Sequence, residues 1–181
     1  FPHHENEIAQ SESCSHHLFA RYWMHNAFLN IDNRKMSKSL GNFFTVRDIL
    51  QKYDPQVLRL FMLSAHYRSP LNFSDKLMES AKASYARVVN CVSNLNFALE
   101  KEDRQEELFE EEGLGKAKAG EYEQAYRRVM DDDFNTADAI SVVFELVRLA
   151  NTTVNENSSK AYIRLLKEEI VQLCDVLGLI A

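Results

Sequence analysis

SDKLMESAKASYARVVNCVSNLNFALE, running from Ser74 to Glu100, is the stretch that decides the fold. Leu77, Ala81, Tyr85, Val88, Val92, Leu95 and Leu99 recur in it at steps of three and four, the spacing of one apolar stripe on a long α-helix. Ser74 supplies the hydroxyl that caps such a helix, and the charged stretch from Glu100 to Glu112 ends it. Downstream, three more helical patterns follow: about Ala119 to Met130, about Asn135 to Asn157 with Ile140, Val143, Phe144 and Val147 inward, and about Ser159 to Leu177. Gly113 and Gly115 read as breaks before the first of these, and the acidic run Glu106 to Glu112 as a solvated turn between helices. Together the four predict an antiparallel helical bundle and a mostly α fold.

Upstream the texture is mixed. Leu18 to Ile31 is rich in Phe, Tyr and Trp, which fits a helix or loop followed by a short buried strand around Phe28-Leu29-Asn30-Ile31. Thr45-Val46-Arg47-Asp48 has the spacing of a capping box, with an acid three residues after a hydroxyl, and predicts a short helix. Asp54-Pro55 predicts a second one, an N-cap followed by Pro at the first helical position, carrying Val57, Leu58, Phe61 and Leu63 toward a core.

Bulk properties bound the function. The chain has 181 residues, of which 45% are hydrophobic, enough for one ordinary domain or two small ones. A net charge of -6 argues against a generally basic nucleic-acid coat and leaves room for a local basic groove. Cys14, Cys91 and Cys174 are widely spaced with no CxxC pair, which predicts a reduced, cytoplasmic setting. No apolar run approaches the length of a membrane span, and no signal peptide opens the chain. The first residues, Phe1 to Glu7, carry no initiator Met and begin among chemically loaded side chains, which reads as a fragment entered in the middle of a site.

The chemistry concentrates in Lys35-Met36-Ser37-Lys38-Ser39, followed by Leu40-Gly41-Asn42. Two ammonium groups three residues apart, two hydroxyls and a turn-permitting glycine suit a polyphosphate whose charge must be held while one bond breaks. An exposed Lys/Ser turn is the plain alternative for such a string.

This string resembles, residue for residue, the KMSKS motif of class I aminoacyl-tRNA synthetases. The resemblance implies that the loop contacts ATP phosphates during attack by an amino-acid carboxylate, with Lys38 the principal ATP contact, Lys35 helping to neutralise pyrophosphate, Ser37 and Ser39 beside them, and Met36 packing. Phe1 to Ser11 is similar to the zinc segment of cysteinyl-tRNA synthetases, in which a His and a Glu four residues later complete a site begun by two cysteines. His3 and Glu7 have that spacing and would point from one face of a helix toward a common ion. Zinc suits a thiol substrate, because a thiolate binds it directly and a serine hydroxyl is a far poorer ligand. A His/Glu-rich helix start with ordinary hydrogen bonds is the plain alternative. Tyr22 to Asn26, Asn42 to Asp48, His66 to Leu71 and Met130 to Thr136 also look like segments of this family, in the same order.

The resemblance assigns residues 1–52 to the end of a Rossmann-type catalytic domain, 53–73 to a stem-contact segment and 74–181 to a helical bundle of the DALR type. It implies a ligase that activates L-cysteine with ATP and Mg and transfers it to tRNA(Cys), a monomer with one zinc per subunit, whose first nucleotide-binding half and anticodon-binding domain would lie outside this chain. The isolated chain would then be inactive. Rivals are a ligase joining cysteine to an amino-sugar and a non-catalytic helical module that binds RNA or protein.

Other residues invite weaker readings. His4 and Glu5 read as supporting or exposed groups, and His16, His17 and His25 as ordinary surface histidines. Asp131-Asp132-Asp133 reads as acids at a helix start rather than a metal cluster. Arg47, Arg59 and Arg68 fit either contacts to a tRNA acceptor stem or surface ion pairs. Trp23 reads as core, as do Cys91 and Cys174; Cys14 falls outside the ligand pattern.

Overall fold

The computed structural model describes residues 2–37 and 44–179. Lys38, Ser39 and the Gly41-Asn42 turn lie outside the described residues. In chain order the elements are α1 (Pro2–Ser15), β1 (Leu29–Ile31), β2 (Arg34–Lys35), α2 (Val46–Ile49), α3 (Pro55–Leu63), β3 (Leu71–Phe73), α4 (Asp75–Leu99), α5 (Gly113–Asp131), α6 (Thr136–Thr153) and α7 (Lys160–Val176). A short 3₁₀ turn, Glu110–Glu112, leads into α5.

The caps that the sequence predicts are present. Thr45 accepts the Asp48 N–H while the Asp48 carboxylate accepts the Thr45 N–H at 2.7 Å, so two orphan donors are satisfied reciprocally. Asp54 accepts from Gln56 N–H at 2.7 Å, with Pro55 at the first helical position. Ser74 caps α4, and the structure adds a cap that was not predicted, Ser159 at the start of α7.

Helices α4 to α7 form the bundle, and its core runs through Val88, Leu95, Ile140, Leu146, Ile163 and Leu166. The inward face of α4 differs from the predicted stripe at its start: Met78 is fully buried, whereas Leu77 is 42% exposed. The reason is a second, smaller core of Ile31, Tyr53, Val57, Phe61, Phe73 and Met78, toward which the first turn of α4 faces. Helix α3 likewise serves both cores, with Val57 and Phe61 in the small one and Leu60, absent from the sequence prediction, in the large one.

Two helix boundaries differ from the sequence reading. Gly113 and Gly115 do not break the pattern; α5 starts at Gly113. Tyr162 packs so closely on Gly115 that a Cβ there would lie 2.7 Å from its Cζ, so the glycine is a packing device within the helix. Helix α6 ends at Thr153, short of Asn157, where the Thr153 hydroxyl bonds Leu149 O and the Tyr162 hydroxyl and the chain turns to Ser158. The acidic run is also more than a solvated turn. Glu112 accepts from the Ser159 amide and hydroxyl, and Glu106 pairs with Lys160 at 2.9 Å, tying this loop to the start of α7.

The sheet is small, with strand order β2-β1-β3. β1 pairs antiparallel with β2, matching Asn30 with Lys35, and parallel with β3, matching Leu29 with Leu71. No helix among the described residues is long and apolar enough to cross a membrane.

Candidate active site

Helix α1 buries none of its residues, and its first two turns display chemistry. One helical turn separates His3 from Glu7, and His3 Nε2 lies 3.7 Å from Glu7 Oε1, as the four-residue spacing predicts. His4 joins them: ligand atoms of His3, His4 and Glu7 all lie within 4.8 Å of one another. Two ligands at about 2.0–2.2 Å from one metal are at most about 4.4 Å apart, so the His3–Glu7 pair fits a shared zinc ion. Sequence reading left His4 in a supporting role. Its signal was the three-residue spacing to Glu7, which also places two groups on one helix face.

The loop after α1 supplies aromatic support. The His4 ring stacks on His25 at 4.8 Å between centroids and 2° between planes, and on Trp23 at 6.0 Å and 16°. Trp23 is therefore part of an exposed ring stack, 43% accessible, rather than core. His25 is exposed, as expected of a surface histidine, and is also a stacking partner. Cys14 is exposed on α1, while Cys91 and Cys174 are buried in the bundle, where desolvation pushes their thiols up to about 11 and about 12.

The phosphate-type string begins on a hairpin. Asp32 and Asn33 connect β1 to β2 with φ of 46° and 61°, the left-handed pair that a two-residue hairpin loop requires. The Asn33 N–H donates to Asn72 Oδ1 at 2.7 Å, which fixes the turn against β3. Lys35 ends β2 exposed, and Met36 packs on the small core, as the resemblance implies for a residue that packs. On the far side, Phe44 contacts the Phe73 ring at 4.7 Å and Thr45 opens the capping box, where the Thr45 amide holds the Asp48 carboxyl below its ordinary value. Both flanks of the basic string are thus anchored on one core.

The arginines divide. Arg68 Nε lies 2.8 Å from Asp133 Oδ2, an ion pair with the turn between α5 and α6. Arg47 and Arg59 are exposed. Asp131 to Asp133 form neither a metal cluster among the described residues nor a helix start; Asp131 ends α5, and the cap of α6 is Asn135, which accepts from Asp138 N–H.

Residues 1–83 match the tRNA synthetases class I (C) catalytic domain, and residues 125–181 match the DALR domain. The cysteine--tRNA ligase of Lachnospira eligens is 56% identical over 179 residues, 99% of this chain. The chain spans 38% of that relative's length. Among solved structures, the LeuRS of Agrobacterium radiobacter, in a ternary complex with tRNA and LeuAMS, matches 84% of this chain and 20% of its own, with a TM-score of 0.65 and 22% identity. That likeness bears on the fold alone.

Proposed function

Because the chain belongs to the cysteine--tRNA ligase family of class I synthetases, we propose that it forms part of an enzyme that activates L-cysteine with ATP and Mg and transfers the cysteine to tRNA(Cys). The observation that carries this reading is the co-occurrence, within the first 37 residues, of a His3–Glu7 pair at 3.7 Å and a hairpin that ends in Lys35.

Residues 1–52 act as the end of the catalytic domain, 53–73 as a stem-contact segment and 74–181 as the DALR bundle. Lys35 and Lys38 hold the phosphates, with Ser37 and Ser39 as hydroxyl donors beside them. Their work is charge stabilisation and positioning, with no covalent protein nucleophile. His3 and Glu7 would hold a zinc ion that, when bound, takes the substrate thiolate and so sets cysteine apart from serine. His4, stacked on His25 and Trp23, keeps the first turn of α1 aligned for that task. A monomer in a reducing cytoplasm fits the three free cysteines.

The test uses the full-length ligase that contains this sequence. Lys38→Ala should lower kcat for ATP–pyrophosphate exchange much more than it raises KM for ATP, because the contact strengthens in the transition state. A raised KM with unchanged kcat overturns that role. Glu7→Gln should release zinc and erase the preference for cysteine over serine. A tRNA-charging assay separates this activity from a cysteine:amino-sugar ligase, whose acceptor is a small amine.

A further inference from the structure

The turn between α5 and α6 reaches across the molecule to the segment that precedes β3. Asp133 and Phe134 both take left-handed backbone, φ 58° and 55°, which non-glycine residues rarely adopt and keep only where their surroundings hold them. What holds Asp133 is polar. Its Oδ1 accepts from the Tyr67 hydroxyl at 2.7 Å and from Arg68 Nη2 at 3.2 Å, and its Oδ2 lies 2.8 Å from Arg68 Nε and 3.8 Å from His66 Nε2. One residue pair further on, the Thr136 hydroxyl donates to Leu63 O at 2.8 Å. The α5–α6 turn therefore grips the end of α3 and residues 66–68 together.

That gripped segment in turn holds the site side of the molecule. Tyr67 O accepts the Ala27 N–H at 2.8 Å, and Phe28 O accepts the Leu71 N–H at 3.3 Å. Ala27 lies two residues after His25, which stacks on His4, and two before β1, whose hairpin delivers Lys35. The Asp133–Tyr67 contact and the Ala27–Tyr67 hydrogen bond thus form one link between bundle and site, beside the β1–β3 pairing and the small core that Met78 of α4 shares with Ile31 of β1.

We propose that Asp133 is a positioning residue: through Tyr67 it fixes the chain at Ala27, and so sets where the ring stack of His25 and Trp23 sits and how the chain enters β1, whose hairpin β3 also holds. Its catalytic consequence rests on the proposed ligase activity; its structural consequence does not.

Two measurements test it. In the 181-residue chain, whose only tryptophan is Trp23, Asp133→Ala should speed amide exchange at Ala27 about tenfold and shift Trp23 emission, while amides of Leu146 and Ile163 in the bundle core keep their protection. Asp133→Asn, which retains an oxygen for the Tyr67 hydroxyl, should give a smaller change. Tyr67→Phe removes only the hydroxyl and should speed Ala27 roughly threefold, which keeps the test decisive if Asp133→Ala fails to fold. Unchanged Ala27 exchange in folded variants overturns the proposal, as does protection lost evenly across the bundle. In the full-length ligase, Asp133→Ala should lower kcat for ATP–pyrophosphate exchange about tenfold with KM for ATP within about twofold; equal kcat overturns the catalytic consequence. Absence of exchange in the unmodified enzyme would overturn the ligase reading, and the Ala27 amide would still decide the clamp.

Discussion

Helices α1 and α7 are similar in length and opposite in construction. Along α7, Tyr162, Ile163, Leu166, Ile170, Leu173 and Cys174 are buried among three neighbouring helices; α1 has no buried residue and presents His3 and Glu7 outward. Propensity alone leaves a helix of this size marginal in water, so packing is what makes α7 stable. α1 is held instead by lighter means: the Glu12 carboxylate accepting the Phe19 N–H at 3.2 Å, and the ring stack under His4. The difference teaches that the bundle supplies its own stability, whereas the site end spends its residues on display. Tyr22, Trp23, Met24 and Phe28 around it are exposed, an apolar surface of the kind that marks an interface.

The sharpest way to break this contrast is to truncate each helix. Leu166, fully buried, changed to Ala should cost about 2–5 kcal/mol in urea unfolding of the chain, the usual range for a core cavity. Ile8→Ala on α1 should cost roughly 0.5 kcal/mol or less, as surface substitutions do. Equal losses would mean that α1 belongs to the cooperative core.

A smaller effect sharpens the account of α5 and α7. Gly115→Ala must push the Tyr162 ring, whose hydroxyl bonds Thr153 at 2.8 Å, and should cost about 1–3 kcal/mol by overpacking. Pairing it with Tyr162→Phe should recover part of that loss, and no recovery would show that the clash lies elsewhere. Smaller again, Ser159→Ala removes the cap of α7 and the hydroxyl that donates to Glu112, for about 1–2 kcal/mol measured the same way.

The smallest effect is electrostatic. Burial and the nearby Glu123 raise the Glu169 carboxyl above its ordinary 4.5. A carboxyl raised by folding favours the native state below its unfolded value and opposes it once pH climbs through its folded value. Glu169→Gln should therefore raise the midpoint of thermal unfolding at pH 7, with the gain shrinking to nothing as pH falls below about 4. A gain that persists at low pH would point to packing rather than charge.

Legibility follows the same divide. Capping residues announced themselves because Ser, Thr and Asp act on amides only two or three positions away, so Thr45, Asp54 and Ser74 could be read from local order. The His3–Glu7 spacing was legible for the same reason, since one helix turn brings i and i+4 together. Trp23 was misread because burial depends on what lies across from it, and here that is a pair of imidazoles. Asp133 was misread because its partners, Tyr67 and Arg68, lie 66 and 65 residues earlier.

By itself, then, the sequence determined the course of the bundle helices, the caps at Thr45, Asp54 and Ser74 and the His3–Glu7 spacing, all products of interactions within a turn or two of chain. Only the tertiary structure decided that Met78 and not Leu77 faces inward, that Gly115 is a contact rather than a break, and that the His4 ring stacks on His25 and Trp23. Each of those depends on which surfaces are brought face to face, and no local periodicity carries that information.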